Sequence, residues 1–154
     1  DLVTGVQTCA LPISSQHRLN VIQHNEVTFI DDAYNANPDG VKFALQYIKG
    51  FSGRKIVVLG DMLELGEIAD EAHIAIIDQA IDANIEMIFT LGEITHRIQT
   101  DKLPLYQYLN REKMNKDLCM EIKRGDVLLF KGSRGLQMEK SLEEAINKVQ
   151  HAHW

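Results

Sequence analysis

The chain has 154 residues, 45% of them hydrophobic and 25% charged, the balance of a globular domain large enough for one substantial core. Its formal net charge of -6 comes without a dense Lys/Arg run, which argues against nucleic-acid binding through a phosphate-neutralising patch but not against a local site for an anionic nucleotide. Two cysteines, Cys9 and Cys119, lie far apart without metal-ligand spacing; that excludes a disulfide scaffold, suits a reducing cytosol, and no apolar run is long enough to span a membrane.

Residues 1–13 stand apart. Val3 to Ile13 is mildly apolar, but it lacks a basic start and Pro12 interrupts it, so it does not read as a secretory signal. The string resembles a sequencing-adapter oligonucleotide translated as codons. The expectation is that residues 1–13 are non-native and that the natural sequence resumes near Ser14 with its upstream part lost. Cys9 then carries no meaning.

Arg18 to Gln23 alternates apolar and polar residues, which predicts a strand; His24-Asn25 turns the chain, and Val27 to Ile30 predicts the partner of a hairpin. The stretch from Phe29 to Asp39 follows. An apolar run ends in Asp31 and Asp32, passes an Asn-rich loop, and enters a helix with Asn37 as N-cap and Pro38 in its first turn. Such a turn is either a capped connection or, in an open α/β sheet, a place where a ligand binds. Val41, Ala44, Leu45 and Ile48 then form one helical stripe, closed by Gly50. Lys55 to Leu59 is near-continuously apolar, as in a strand buried on both faces of a parallel sheet, and ends at Gly60-Asp61. After Met62 to Gly66 a long helix is predicted through about Ala83, with Ile68, Ala72, Ala75, Ile76 and Ala80 on one face. Met87 to Leu91 predicts another buried strand, ending at Gly92. A short helix near Ile94 to Gln99 and a short strand from Leu105 to Tyr108 follow. The next helix covers about Arg111 to Lys123, with Met114, Leu118 and Ile122 in its stripe. Asp126 to Phe130 is the last strand and runs into Lys131-Gly132-Ser133-Arg134-Gly135. Met138, Leu142, Ala145, Ile146 and Val149 mark a final helix, and residues 151–154 read as a frayed tail.

Strand and helix alternate after the opening hairpin. The expected fold is α/β: a Rossmann-like, mostly parallel sheet with helices on both faces, preceded by a short β-hairpin. Residues 14–150 form it as one domain.

In such a sheet the unusual residues gather at strand carboxyl ends: Asp31 and Asp32, Gly60 and Asp61, Gly92 and Glu93, and Lys131 to Arg134. Lys131 and Arg134 can pair with phosphate or carboxylate, and Asp32 can accept hydrogen bonds from sugar hydroxyls. Each also has a plainer reading. Asp61 can simply organise a turn, and Lys131 and Arg134 can be solvated loop charges. His73 lies beside an apolar stripe and reads as structural. Cys119 reads as a helix residue near the core. Met62, Met87 and Met138 suit packing. The histidines are too scattered to suggest a metal site. The chain contains no G-x-x-x-x-G-K-[ST] phosphate loop, no G-x-G-x-x-G fingerprint and no nucleophile elbow, so no residue of it is assigned a catalytic role.

Three motifs, in order, are specific. Asp31-Asp32-Ala33-Tyr34-Asn35-Ala36-Asn37-Pro38, then Gly60-Asp61-Met62-Leu63-Glu64-Leu65-Gly66, then Lys131-Gly132-Ser133-Arg134-Gly135 with Met138-Glu139 closely resemble the carboxy-terminal domain of Mur ligases of peptidoglycan synthesis. The resemblance covers about Gln16 to Gln150 and is strongest to the branch that adds D-alanyl-D-alanine to UDP-N-acetylmuramoyl-tripeptide. Gly40 departs from it, where the family often has Ser. The combination of the first two motifs speaks against a folylpolyglutamate- or cyanophycin-synthesising relative. An alternative of another class is a freestanding, non-catalytic Rossmann-like binding module.

The resemblance implies a cytoplasmic ATP-dependent ligase in which a substrate carboxylate becomes an acyl phosphate and an amine then attacks it, with Mg2+ neutralising phosphate charge. ATP and Mg2+ would be held mainly by a central domain that this chain lacks, so the chain alone would be inactive. By position, Arg18 resembles the arginine that reaches the nucleotide phosphates, and Asp32 the carboxylate that binds the ribose. Asn35 and Asn37 sit in the same loop. Lys131, Ser133 and Arg134, with Asp61 as a weaker candidate, would lie on the dipeptide or phosphate side. No nucleic acid, membrane or resident metal is implied for the chain itself.

Overall fold

The computed structural model describes residues 17–154; the adapter-like segment 1–13, with Cys9, lies outside them. Its strands are β1 (Asn20–His24), β2 (Val27–Asp32), β3 (Lys55–Gly60), β4 (Met87–Leu91), β5 (Leu105–Tyr108) and β6 (Val127–Lys131). Its α-helices are α1 (Pro38–Lys49), α2 (Ala69–Asp82), α3 (Arg111–Glu121) and α4 (Glu139–Gln150). The strands make one sheet in the order β1-β2-β6-β3-β4-β5. Only β1 is antiparallel to its neighbour. This is the expected mostly parallel α/β sheet with a hairpin at one edge.

Alternate residues of each strand serve opposite faces. On one face Val41, Ala44, Leu45 and Ile48 of α1 and Ile76, Ile77 and Ala80 of α2 cover Ile30, Val57, Leu59, Ile88 and Leu129. On the other, Met114 and Leu118 of α3 and Leu142, Ala145 and Val149 of α4 cover Phe29, Ile56, Val58, Phe89, Leu128 and Phe130. β3 and β6 are therefore buried along their whole lengths, as their unbroken apolar runs require. The start of α1 is built as its sequence suggests: Asn37 Oδ1 accepts from the Gly40 N–H at 2.7 Å, and Pro38 takes a position with no intrahelical N–H to lose. No helix among the described residues is long and apolar enough to cross a membrane.

Several boundaries differ from expectation, each for a local reason. β1 starts at Asn20, not Arg18, because Leu19 has φ of 45° and its N–H is taken by Asp32 Oδ1 at 3.1 Å. The inward stripe of α2 is His73, Ile76, Ile77 and Ala80, while Ile68 and Ala75 face out. Sorting by polarity misplaces His73, which is fully buried because both ring nitrogens have partners: Nε2 and the Met62 N–H at 2.8 Å, and Nδ1 and the Ala69 carbonyl at 2.6 Å. The short helix is one 3-10 turn, Thr95–Arg97. The tail is held rather than frayed: Asn25 donates to the carbonyls of Val149 and Ala152 at 2.9 and 3.0 Å, and Trp154 Nε1 donates to the Asn25 carbonyl at 3.2 Å.

Two side chains tie the α3 face together. Arg54 forks onto Asp126 at 2.9 and 2.7 Å and reaches the Glu121 carboxylate at 2.6 Å, joining the start of β3 to the loop before β6 with charge-assisted geometry. Tyr108 stacks on Phe89 with ring centroids 6.3 Å apart, and its hydroxyl donates to Asp117 at 2.8 Å. Burial first, and then the Asp117 carboxylate, push the Tyr108 phenol above its ordinary value of 10.0. Because its folded value lies above the unfolded one, its stabilising contribution is complete below about pH 10 and is lost as pH rises through the folded value. Alkaline titration of tyrosinate absorbance is expected to show Tyr108 ionising last, and Asp117→Asn to bring it part of the way back. A Tyr108 that titrates together with the exposed tyrosines would contradict this.

Candidate functional site

β2, β6, β3, β4 and β5 run parallel, so their carboxyl ends lie on one edge of the sheet. That edge brings together Asp31, Asp32, Asp61, Glu93 and the Lys131–Arg134 loop. β6 lies between β2 and β3, yet α4 leaves β6 toward one face while α1 and α2 follow β2 and β3 on the other. Connections that part to opposite faces open a crevice at the strand ends, the usual ligand position in such sheets.

Asp32 and Lys131 sit opposite each other in the β2–β6 register. Lys131 Nζ lies 2.6 Å from Asp32 Oδ2 and 3.0 Å from the Asn35 carbonyl. The two side chains, Lys131 and Asp32, are only 7% and 10% exposed. Burial pushes the Asp32 carboxyl above the ordinary carboxylate range, and its bonds to Lys131 and the Leu19 amide offset part of that. Asp31 is spent locally: Oδ2 is 2.6 Å from His17 Nδ1, and Oδ1 accepts from the Ala33 N–H at 3.2 Å.

An open cleft of about 390 Å³ lies over this pair, and Arg18, Asp32, Asn35 and Asn37 all line it together with Tyr34 and Phe43. The Arg18 guanidinium stands 4.4 Å from the centre of the Tyr34 ring, and that of Arg134 stands 5.4 Å from it. One ring therefore gathers cations from the two ends of the domain. A second hollow adjoins it, walled by Asn35, Asn37, Leu63, Glu64, Ser133 and Arg134.

The remaining candidates are more occupied than sequence alone suggests. Ser133 Oγ accepts from the Leu63 N–H at 2.7 Å. Arg134 pairs with Glu139 at 3.1 Å and stays exposed. Asp61 is buried, and its carboxylate accepts from the N–H groups of Ile94 and Thr95 at 2.8 and 2.9 Å. Its own N–H donates to the Leu91 carbonyl at 3.0 Å and its carbonyl accepts from the Ser133 N–H at 3.1 Å. Asp61 is thus the knot that fastens the loops after β3, β4 and β6. The close approach this needs is visible at Gly132, where a Cβ would stand 2.6 Å from Met138 Cγ and 3.0 Å from Gly60 Cα.

Arg111 is a residue that sequence patterns do not single out. It opens α3, where a positive side chain runs against the helix dipole; that mismatch is the one signal the sequence offers. It donates to Ser141 Oγ at 2.8 Å and to the Leu136 carbonyl.

A family model described as Mur ligase, glutamate ligase domain, matches residues 17–134. The chain belongs to the Mur ligase family. Among curated Mur ligases it is similar to the UDP-N-acetylmuramoyl-tripeptide–D-alanyl-D-alanine ligase of Bacillus subtilis, with 33% identity over 84% of this chain and 30% of the relative. It is 30% identical to the Escherichia coli enzyme of the same name, over 72% of this chain and 25% of that one. Its fold matches the MurF ligase of Thermotoga maritima, solved with ADP, at a TM-score of 0.77 and 31% identity over 87% of this chain and 31% of that one. A murein peptide ligase from Psychrobacter arcticus, at 12% identity and a TM-score of 0.68, shows the shared Mur ligase fold alone. The chain spans about 30% of the length of the Bacillus relative. ADP in the Thermotoga structure supports nucleotide use in the family.

Magnesium does not fit the residues present. Among the described residues no three His, Cys, Asp or Glu side chains converge as a metal site requires, and Asp31, Asp32 and Asp61 already have partners.

Proposed function

We propose that this chain is the carboxy-terminal domain of a cytoplasmic ligase that uses ATP to join D-alanyl-D-alanine to UDP-N-acetylmuramoyl-tripeptide, and that it supplies one wall of the reaction cleft. The observation that carries this reading is the crevice beside β6, where Arg18, Asp32, Asn35, Asn37 and Lys131 meet from three separated stretches of chain. The names and the ADP of the relatives support it. In the reaction the tripeptide carboxylate attacks the terminal phosphorus of ATP, giving an acyl phosphate and ADP. The neutral dipeptide amine then attacks the acyl carbon, phosphate leaves with the acyl–oxygen electron pair, and the nitrogen gives up one proton to solvent or to the departing phosphate as the amide forms. No phosphate loop occurs in the 154 residues, so this domain closes, orients and shields. Lys131 locks Asp32 in place, and the free lone pairs of that carboxylate accept from ribose hydroxyls. Arg18 and Arg134, braced on Tyr34, face the polyphosphate charge.

The test grafts residues 17–154 in place of the matching segment of the Bacillus relative and measures phosphate release. Release that requires both the nucleotide-linked tripeptide and D-alanyl-D-alanine is expected. Arg18→Ala should lower it by about 10-fold or more, the scale of one lost charge-assisted contact. ATP turnover by the unfused chain, abolished by Asp32→Ala, would overturn the reading, and so would a folded but inactive graft.

A further inference from the structure

We infer that Arg111 is the receptor for the carboxylate of a small zwitterionic peptide, held in a second cleft beyond the ends of β4 and β5. Naming that peptide D-alanyl-D-alanine rests on the function proposed above; the carboxylate site itself does not.

Among the described residues Arg54, Arg97, Arg124 and Arg134 each pair with a carboxylate. Arg18 is exposed and stacks on Tyr34. Arg111 differs from all of these. It is half-buried, makes no ion pair, and spends two of its N–H groups on Ser141 and Leu136. A guanidinium has five such donors in a planar fork, so donors remain that no hydrogen bond among the described residues fills. Burial also lowers the Arg111 pKa, a penalty that an incoming anion would relieve. Glu139, the acid whose charge reaches Arg111, bonds Arg134 through Oε2 and makes no hydrogen bond to Arg111, while its Oε1 stays buried without a partner among the described residues.

The space in front of Arg111 suits a short aliphatic peptide. It is an open cleft of about 460 Å³ walled by Leu91, Leu109 and Leu136, with Gly92 and Glu93 on its rim. Leu109 is 61% exposed and leaves apolar surface open to a ligand in the cleft. Glu93 is exposed, and its carboxylate has no ion pair among the described residues. A carboxylate on the Arg111 fork, methyl groups on the leucines and an ammonium toward Glu93 would satisfy every wall. The side chains that sequence points to for this task are less available: Lys131 is bound to Asp32, Asp61 to two amides, and Ser133 Oγ to Leu63.

The test titrates the folded 154-residue chain with sodium propionate, D-alanyl-D-alanine and D-alanyl-D-alaninamide, and follows the Arg111 Nε–H and the Leu109 and Leu136 methyl signals by NMR. Propionate and the dipeptide should shift all of them. The amide, which keeps the ammonium but lacks the carboxylate, should bind about 10-fold more weakly or worse, the scale of a lost charge-assisted pair. Arg111→Gln should abolish the response. Ser141→Ala, which keeps the guanidinium, should retain it, and this separates ligand binding from a brace for the Leu136 loop. No shift at Arg111 with either carboxylate, or equal binding of dipeptide and amide, overturns the inference. A dipeptide that binds no tighter than propionate removes D-alanyl-D-alanine as the occupant and leaves the carboxylate site standing. If the graft above is inactive while propionate still shifts Arg111, the proposed reaction fails and this site does not.

Discussion

Gly92→Ala is expected to destabilise the chain by about 4 kcal/mol or more, among the largest effects of any single methyl group here. Gly92 has φ of 136°, a conformation that costs an ordinary residue roughly 1–3 kcal/mol. The larger part is steric. A Cβ at Gly92 would fall inside the Asp61 carboxyl group, which holds the amides of Ile94 and Thr95. The alanine therefore displaces a buried carboxylate and breaks both bonds, each worth roughly 1.5–3 kcal/mol. Gly66 is the control: its φ is 60° and a methyl group there would meet nothing within 4 Å, so Gly66→Ala should cost only about 1 kcal/mol. Urea midpoints measure both. In an Asp61→Ala background the Gly92→Ala step should shrink to its conformational part, and full additivity would show that the methyl does not meet Asp61.

Lys131→Met should cost about 3–5 kcal/mol at neutral pH, because it strands Asp32 as an unpaired charge in a buried place. Burial already holds the Asp32 carboxyl above its ordinary range while Lys131 pulls it down, so removing Lys131 raises it further. A carboxyl whose folded pKa lies above the unfolded one contributes stability fully below the unfolded value, about 3.8, and loses it as pH rises through the folded value. The gap between parent and variant should thus narrow as pH falls toward that value. Adding Asp32→Asn should restore most of the loss at neutral pH. A Lys131→Met cost under about 1 kcal/mol, or a double variant no better than the single, would show that the pair is not energetically coupled.

The carboxyl-edge cluster is legible in the sequence because alternating strands and helices force parallel strands, and parallel strands share an edge. Strand order is not legible. The family resemblance gives Asp32 the ribose and Lys131 the dipeptide or phosphate side, and says nothing of their bond, 99 residues apart in sequence, which exists because β6 enters between β2 and β3. Asp61 shows a second limit. An acid after a strand reads as the organiser of its own turn, yet Asp61 organises the turn after the next strand, a contact with no local signal. The stripe of α1 matches its apolar spacing residue for residue, whereas that of α2 does not, because His73 enters the core on hydrogen bonds rather than on hydrophobicity. Arg111 carries no motif; what distinguishes it is the partner it lacks, and only packing shows that.

The place of β6 also governs how the molecule assembles. The strand at the heart of the sheet is the last one in the sequence. Until Val127–Lys131 arrives, β2 and β3 have no partner between them, and each keeps an open edge of unpaired amides and carbonyls. Such edges recruit other chains, and the long loops that must close make the step slow. The halves of the sheet cannot join by a local zip; they wait for a single late insertion. Synthesis from the amino terminus therefore leaves this domain most exposed to self-association before β6 is in place, and the Arg54 clamp from the start of β3 to Asp126 can close only once that strand has entered.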